Sequence, residues 1–256
     1  MKGTIFDLSG KVALVTGGSK GIGKAIAHAL AEAGADIVIC SRHQDQLQAA
    51  LDEIYEATGR RGRCFVTDVS QRPEVEALAR STLEATGRVD ILVNNAGSNV
   101  LERIDAVTDQ KWDRIFELNL NSCMVLTRAL VPQMKHRGWG RVIHISSIMA
   151  LSSRVGRSAY SATKSALVGM TRASALDLGP HKITVNCIAP GPFLTDMPRA
   201  DLSDEQLTSM ATRTALGRWG DVRELAGPAL LLASEAGSYI TGSVLVVDGG
   251  ILCRIF

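Results

Sequence analysis

Tyr160 and Lys164 stand four positions apart in "YSATK", separated only by Ser161, Ala162 and Thr163. On a helix this spacing puts both side chains on one face, with an ammonium close enough to favour the ionised phenol. A free tyrosine has a pKa of about 10, so a phenol that trades protons near neutral pH needs such a neighbour. The spacing alone is compatible with acid/base chemistry and with ordinary surface packing, so the rest of the chain must decide between them.

A second chemical signal follows the run "VALVT" at 12–16. The next residues place Gly17, Gly18, Gly21 and Gly23 in a turn with Ser19, Lys20 and Ile22, opening an amphipathic stretch, in the spacing T-G-x-x-x-G-x-G. Missing side chains let backbone amides approach a phosphate, and a helix N-terminus adds partial positive charge to receive it. The order strand, glycine turn, helix is the one a dinucleotide site requires. An NAD site presents an acid about 20 residues on, for the ribose 2′-OH. Here Ser41 and Arg42 close "DIVICSR" instead. An arginine grips a 2′-phosphate that an acid would repel, and Lys20 adds a second charge, so NADP(H) is expected over NAD(H).

These groups need a scaffold that repeats strand and helix. β-rich runs recur at 12–16, 36–41, 63–68, 90–95, 141–146, 183–190 and 243–250, with helical patterns near 21–33, 44–58, 72–86, 109–136, 158–178 and 221–234. Alternation of this kind implies right-handed crossovers and a parallel sheet covered on both faces. The expected fold is α/β: a single doubly wound Rossmann domain over residues 1–256, with a seven-stranded parallel sheet and helices on both faces. Gly34, Gly59, Gly87, Gly138 and Gly179 stand where helix C-caps belong. The segment 191–216, with Pro192, Pro198 and the polar "RADLSDEQ", breaks the rhythm and is expected to be a substrate loop.

With 46% hydrophobic residues in 256, the chain can build a large core, and its net charge of +2 is made of interspersed signs. That balance argues against nucleic-acid binding and against a polybasic membrane anchor. Five scattered cysteines fit neither a disulfide framework nor a metal site, and no apolar run reaches 18 residues, so a soluble cytoplasmic protein without a metal is expected.

Six strings occur in order: "TGGSKGIG" (16–23), "NNAG" (94–97), "LNLN" (118–121), "ISS" (145–147), "YSATK" (160–164) and "APGPFLT" (189–195). Together they resemble the short-chain dehydrogenase/reductase family from about Leu8 to Gly250. The resemblance implies that Tyr160 is the acid/base and that Lys164 lowers its proton affinity and binds the nicotinamide ribose. It implies that Ser147, thirteen positions before Tyr160, hydrogen-bonds the reacting oxygen, and that Asn119 holds a water near the lysine for proton relay. On the cofactor side it assigns Gly17, Ser19, Lys20, Gly21, Ile22 and Gly23 to the phosphates, with Ser41 and Arg42 beside them. Asp68 and Val69 go to the adenine, Asn95, Ala96 and Gly97 to the adenosine ribose, and Pro190, Gly191 and Thr195, with Ile188, to the nicotinamide side. The small residues of "SATK" then keep the helix face clear for that cofactor.

The activity so implied is hydride transfer between a ketone and a secondary alcohol. Two substrates are open: a 3-oxoacyl thioester on acyl carrier protein, and a keto-sugar acid as in gluconate 5-dehydrogenase-like members. Arg154 and Arg157 either meet an anionic substrate or are solvated loop residues, and Lys135, His136, Arg137, His181 and Lys182 are the candidate patch for an acidic carrier. The resemblance also implies a homotetramer, using the long helices, the final strand and the tail "ILCRIF". A non-catalytic NADP(H)-binding scaffold or sensor is the alternative function, since a fold does not dictate its use.

Overall fold

β-branched residues dominate the strand segments, and alternate positions along each strand serve opposite faces. In the computed structural model, which describes residues 2–195 and 203–253, these segments form β1 (Val12–Thr16), β2 (Asp36–Ser41), β3 (Arg63–Val66), β4 (Ile91–Asn94), β5 (Gly140–Ile145), β6 (Ile183–Pro190) and β7 (Val244–Val247). All pair in parallel, in the order β3-β2-β1-β4-β5-β6-β7. Ala13, Val15, Ile37 and Ile39 pack on one face with α1 (Gly21–Glu32), α2 (Gln44–Thr58) and α8 (Ala226–Ala233). Val12, Leu14, Val38 and Leu92 pack on the other with α3 (Arg72–Thr86), α5 (Ser122–Arg137) and α6 (Ser158–Leu178). Two separate cores on one sheet are the packing consequence of a doubly wound chain.

Gly59, Gly87 and Gly138 close α2, α3 and α5 with φ of 69°, 70° and 63°, as their positions suggested. Gly34 follows the cap residue Ala33 of α1 and takes φ 109°. Gly179 differs: its φ is −51°, it continues into a 3-10 turn Gly179–His181, and the left-handed residue is Lys182 at φ 59°.

Two helical segments depart from expectation. The stretch expected as one helix over 109–136 is α4 (Asp109–Phe116) and α5 joined by a π-helical segment, Glu117–Asn121. The segment 191–216, expected to be a substrate loop, contains α7 (Asp204–Arg213), which starts with a reciprocal capping box between Ser203 and Gln206. Pro198 and the "RADL" part of that loop fall in 196–202, and the tail residues 254–256 follow Cys253; both lie outside the described residues.

Candidate active site

The site begins where β1 and β4 end. The Thr16 hydroxyl accepts hydrogen bonds from the amides of Asn95 and Ala96, both at 3.0 Å. Asn95 Nδ2 donates back to the carbonyls of Thr16 at 2.8 Å and Gly17 at 3.2 Å. These bonds staple two adjacent strands whose helices leave in opposite directions, the crevice where open α/β sheets take ligands. Gly17 and Gly21 hold φ of 64° and 55°. A Cβ on Gly23 would fall 2.2 Å from the Gly17 carbonyl oxygen, and one on Gly18 2.5 Å from Ile39 Cγ2. Only glycine lets the turn lie so close to the strands. Lys20 is the N-cap of α1, which has no side-chain cap and no acid in its first turn. Its leading amides and dipole therefore favour an anion.

Ser41 ends β2 and Arg42 follows it, exposed. Asp68 and Val69 follow β3 at the same edge, where the Thr67 amide donates to the Ser41 carbonyl at 2.8 Å. Burial opposes ionisation of Asp68. The Ser70 amide and hydroxyl, at 3.0 and 2.8 Å, and the charges of Arg42 and Arg114 outweigh it, so the carboxyl is held below its usual range. The glycine cradle, the uncapped helix and the basic residue in place of an acid after β2 fit a dinucleotide that carries a 2′-phosphate.

Lys164 is 4% exposed, and its Nζ lies 5.7 Å from the ring centroid of Tyr160 and donates to the Ile145 carbonyl at 2.7 Å. The two serines after β5 separate by their bonding. Ser146 Oγ donates to the Lys164 carbonyl at 2.8 Å, which spends its hydrogen inside the β5–α6 junction. Ser147 Oγ accepts the Met149 amide at 3.1 Å and keeps its own hydrogen for a ligand in the cavity it lines.

Asn119 lies in the π-helical segment and is 1% exposed. Its Nδ2 donates to the Ser98 carbonyl at 3.0 Å and to Thr163 Oγ1 at 3.1 Å, and its Oδ1 accepts the Ser98 amide at 2.9 Å. It thus ties the loop after β4 to α6. A Cβ on Gly97 would sit 3.2 Å from Asn119 Oδ1 and 3.5 Å from Lys164 Nζ, so these groups share one small space. Beneath them His144 is fully buried, its Nδ1 3.1 Å from Asn94 Nδ2; burial and then the Lys164 charge push its pKa down to about 4.

A cavity of about 970 Å³ opens above this cluster. It brings together Ile22, Asn95, Gly97, Ser147, Tyr160 and Lys164, and Pro190, Gly191 and Thr195 join from the end of β6. Thr195 also approaches the glycine turn, since a Cβ on Gly21 would lie 3.5 Å from its Cγ2. Asn119 stands behind the cavity, and Ser41, Arg42, Asp68 and Val69 lie beyond it along the same sheet edge.

The suggested carrier-protein patch stands elsewhere. Lys135, His136 and Arg137 close α5 ahead of β5, and His181 and Lys182 precede β6, so all five sit at the N-terminal edge of the sheet. β5 and β6 run six and eight residues from there to the cavity, about 20 and about 26 Å of strand. Arg137 is also engaged structurally, with Nη2 donating to the Val89 carbonyl at 3.0 Å and Nε 3.5 Å from Asp90 Oδ1.

Sequence reasoning missed Thr163 and His144, whose roles depend on tertiary neighbours. It also missed Met210 and Arg213, which line the cavity from α7. For α7 a signal was present: "SDEQ" at 203–206 is a capping-box pattern.

The family model for short chain dehydrogenase matches residues 11–206. The chain is 38% identical over 248 residues to gluconate 5-dehydrogenase of Gluconobacter oxydans, covering 96% of each. It is 38% identical over 244 residues to 3-oxoacyl-[acyl-carrier-protein] reductase of Vibrio cholerae, covering 95% of this chain and 98% of that one. L-sorbose reductase from Gluconobacter frateurii, solved with NADPH and L-sorbose, superposes with a TM-score of 0.92 at 36% identity, covering 98% of this chain and 100% of that one. With the dinucleotide cradle and the Ser147, Tyr160 and Lys164 cluster in place, these likenesses make the chain a member of the short chain dehydrogenase family of oxidoreductases.

Proposed function

We propose that this protein is an NADP(H)-dependent oxidoreductase that interconverts a ketone and a secondary alcohol. The observation that carries the reading is the convergence of Ser147, Tyr160 and the buried Lys164 on one wall of the cavity, beside the glycine cradle. When bound, NADP(H) supplies or accepts the hydride. The residues that would hold it are Gly17, Ser19, Lys20, Gly21, Ile22 and Gly23 at the phosphates and Ser41 and Arg42 at the 2′-phosphate. Asp68, Val69, Asn95, Ala96 and Gly97 would hold the adenosine, and Tyr160, Lys164, Pro190, Gly191 and Thr195 the nicotinamide half. NADPH in the L-sorbose reductase supports this choice of cofactor.

In this reading the Tyr160 hydroxyl exchanges a proton with the substrate oxygen, and the Ser147 hydroxyl donates a hydrogen bond to the same oxygen as charge builds there. Lys164 spends one N–H on the Ile145 carbonyl, leaving two for the ribose and the relay. Both side-chain N–H groups of Asn119 are taken by protein oxygens, so within its side chain the second lone pair of Oδ1 is what remains to hold a relay water beside Lys164.

A 3-oxoacyl thioester and a keto-sugar acid are the candidate substrates, each matched by a relative. The segment 191–216 acts as substrate wall through Phe193, Met210 and Arg213. Exposed Leu176 on α6, Tyr239 before β7 and Val246 on β7 fit burial between copies in a homotetramer. A single-domain, cytoplasmic enzyme completes the proposal.

The test follows NADPH and NADH oxidation by the purified protein on acetoacetyl thioester and 5-ketogluconate, with Tyr160→Phe alongside. The expected result is NADPH-preferring turnover of one of them, abolished in Tyr160→Phe while NADPH affinity is kept. Undiminished turnover in the variant would remove the acid/base role. NADPH binding without turnover of any ketone would leave the scaffold or sensor reading.

A further inference from the structure

Four cations line the cavity: Lys164, Arg154, Arg157 and Arg213. Among its described lining residues there is no Asp or Glu. The chain as a whole carries only +2, so this is a local concentration of charge and not a reflection of composition. Lys164 belongs to the reacting centre. Arg154 and Arg213 come from separate elements, the loop between β5 and α6 and the last turn of α7. They also border a shallow depression that opens beside the cavity with Gln206, Ser209 and Met210.

Exposed arginines nearby find carboxylates: Arg218 pairs with Glu224 and Arg223 with Asp221, both at 2.6 Å. Among the described residues, neither Arg154 nor Arg213 has an ion pair or a side-chain hydrogen bond, although Glu205 edges the same depression. Two guanidinium forks on separate elements, lining one cavity and paired with no carboxylate among the described residues, match an external carboxylate, which they can grip through paired N–H groups.

We propose that Arg154 and Arg213 form a carboxylate subsite, so that the substrate pair is a keto acid and its hydroxy acid; this rests on the oxidoreductase reading above. The acyl part of a 3-oxoacyl thioester carries no charge to engage these two groups. The ketone meets Ser147 and Tyr160 while the carboxylate is held by the arginines, and the apolar Met149, Phe193 and Trp219 exclude water between them.

The test compares ligands that differ at one carbon, which carries a carboxylate in one and a neutral hydroxymethyl group in the other. D-gluconate and sorbitol, of equal carbon number, are titrated calorimetrically into the protein saturated with NADPH, with which neither alcohol can react, for the wild type, Arg154→Gln, Arg213→Gln and the double variant. KM is measured in parallel for 5-ketogluconate and for L-sorbose, its counterpart with a hydroxymethyl group in place of the carboxylate. The wild type is expected to prefer the charged member of each pair by tenfold or more. Each single variant is expected to cut that preference on the order of tenfold, and the double variant to bring it near one. Equal binding of gluconate and sorbitol by the wild type, or a preference that survives in the double variant, overturns the subsite. Arginine-dependent gluconate binding without turnover of either ketone upholds the subsite and removes the oxidoreductase reading. Turnover of 5-ketogluconate with the same KM in the double variant does the reverse.

Discussion

Acidification from pH 7 to pH 5 reports on the charge arrangement under the reacting centre through one residue, His144. It is wholly buried on β5, and its pKa is pushed from 6.5 to about 4, first by burial and then by the Lys164 charge. Because the folded value is depressed, the unfolded chain takes up this proton first. The stability gained by keeping His144 neutral is complete above pH 6.5 and is lost steadily as the pH falls toward 4. At about 1.4 kcal/mol per pH unit, and allowing for partial protonation at the upper end, the loss between pH 7 and 5 is about 2 kcal/mol. A domain holds only about 5–15 kcal/mol in all, so the effect is measurable.

Urea denaturation of the wild type and His144→Phe over this range, at one protein concentration, isolates the histidine, since carboxylates common to both chains cancel in the difference. The variant starts less stable at pH 7, because the Asn94 amide loses its 3.1 Å partner and the core must accept a larger ring. The gap between the two is expected to narrow by about 2 kcal/mol on reaching pH 5. Stability curves that stay parallel would mean that His144 is not held neutral, and the electrostatic account of the β5–α6 junction would fall with it.

Gly23→Ala is expected to lose most NADPH affinity and about 1–3 kcal/mol of stability, because its Cβ would lie 2.2 Å from the Gly17 carbonyl oxygen; fluorescence titration and thermal melting check the two effects separately. Arg42→Asp is expected to lower the NADPH over NADH preference about a hundredfold, by removing a charge-assisted bond and adding repulsion, and an unchanged kcat/KM ratio for the two cofactors would refute it. Asn119→Ala removes the bonds to both Ser98 and Thr163. It is expected to cost about 1–3 kcal/mol and to lower kcat more than it raises KM for the ketone, which steady-state kinetics with a urea melt would test.

The sheet was legible because its strands advertise themselves: "VALVT", "DIVICS" and "ITVNCIAP" are apolar runs bounded by turn residues, and the structure places β1, β2 and β6 on those residues. The cofactor edge was legible because it is built from backbone approach, which leaves glycines at fixed spacing. The break at Glu117–Asn121 was not, since nothing in the apolar periodicity of 109–136 marks where a helix widens by one residue per turn. α7 was misjudged because its polar surface hid a short helix behind "RADLSDEQ", though the capping box was there to be read. The position of the suggested carrier patch was not legible for a different reason. Five basic residues near each other in type and charge say nothing about which end of a strand they occupy, and only the strand direction put them at the opposite edge from the cavity.

Strand direction and register also explain why so much chemistry converges at the end of β5. Alternation sends Ile143 and Ile145 to the core beneath α1 and α8, and Val142 to the core beneath α5 and α6, the face that His144 shares by parity. The β4–β5 register sets Asn94 opposite His144, and the Ile145 carbonyl, at the strand's last position, is then in place to accept Lys164 Nζ. Ser146 and Ser147 follow as the chain leaves the sheet, one bound into α6 and one turned to the cavity. A one-residue slip of β5 would exchange every one of these assignments: it would bury an isoleucine where the imidazole sits and turn Ser147 inward in place of Ser146. The six consecutive buried residues of β5 therefore do more than fill two cores. Their pairing with β4 and β6 fixes which carbonyl meets Lys164 Nζ and which hydroxyl lines the cavity with Tyr160, so the proposed reacting centre is specified by sheet register before any of its side chains is considered.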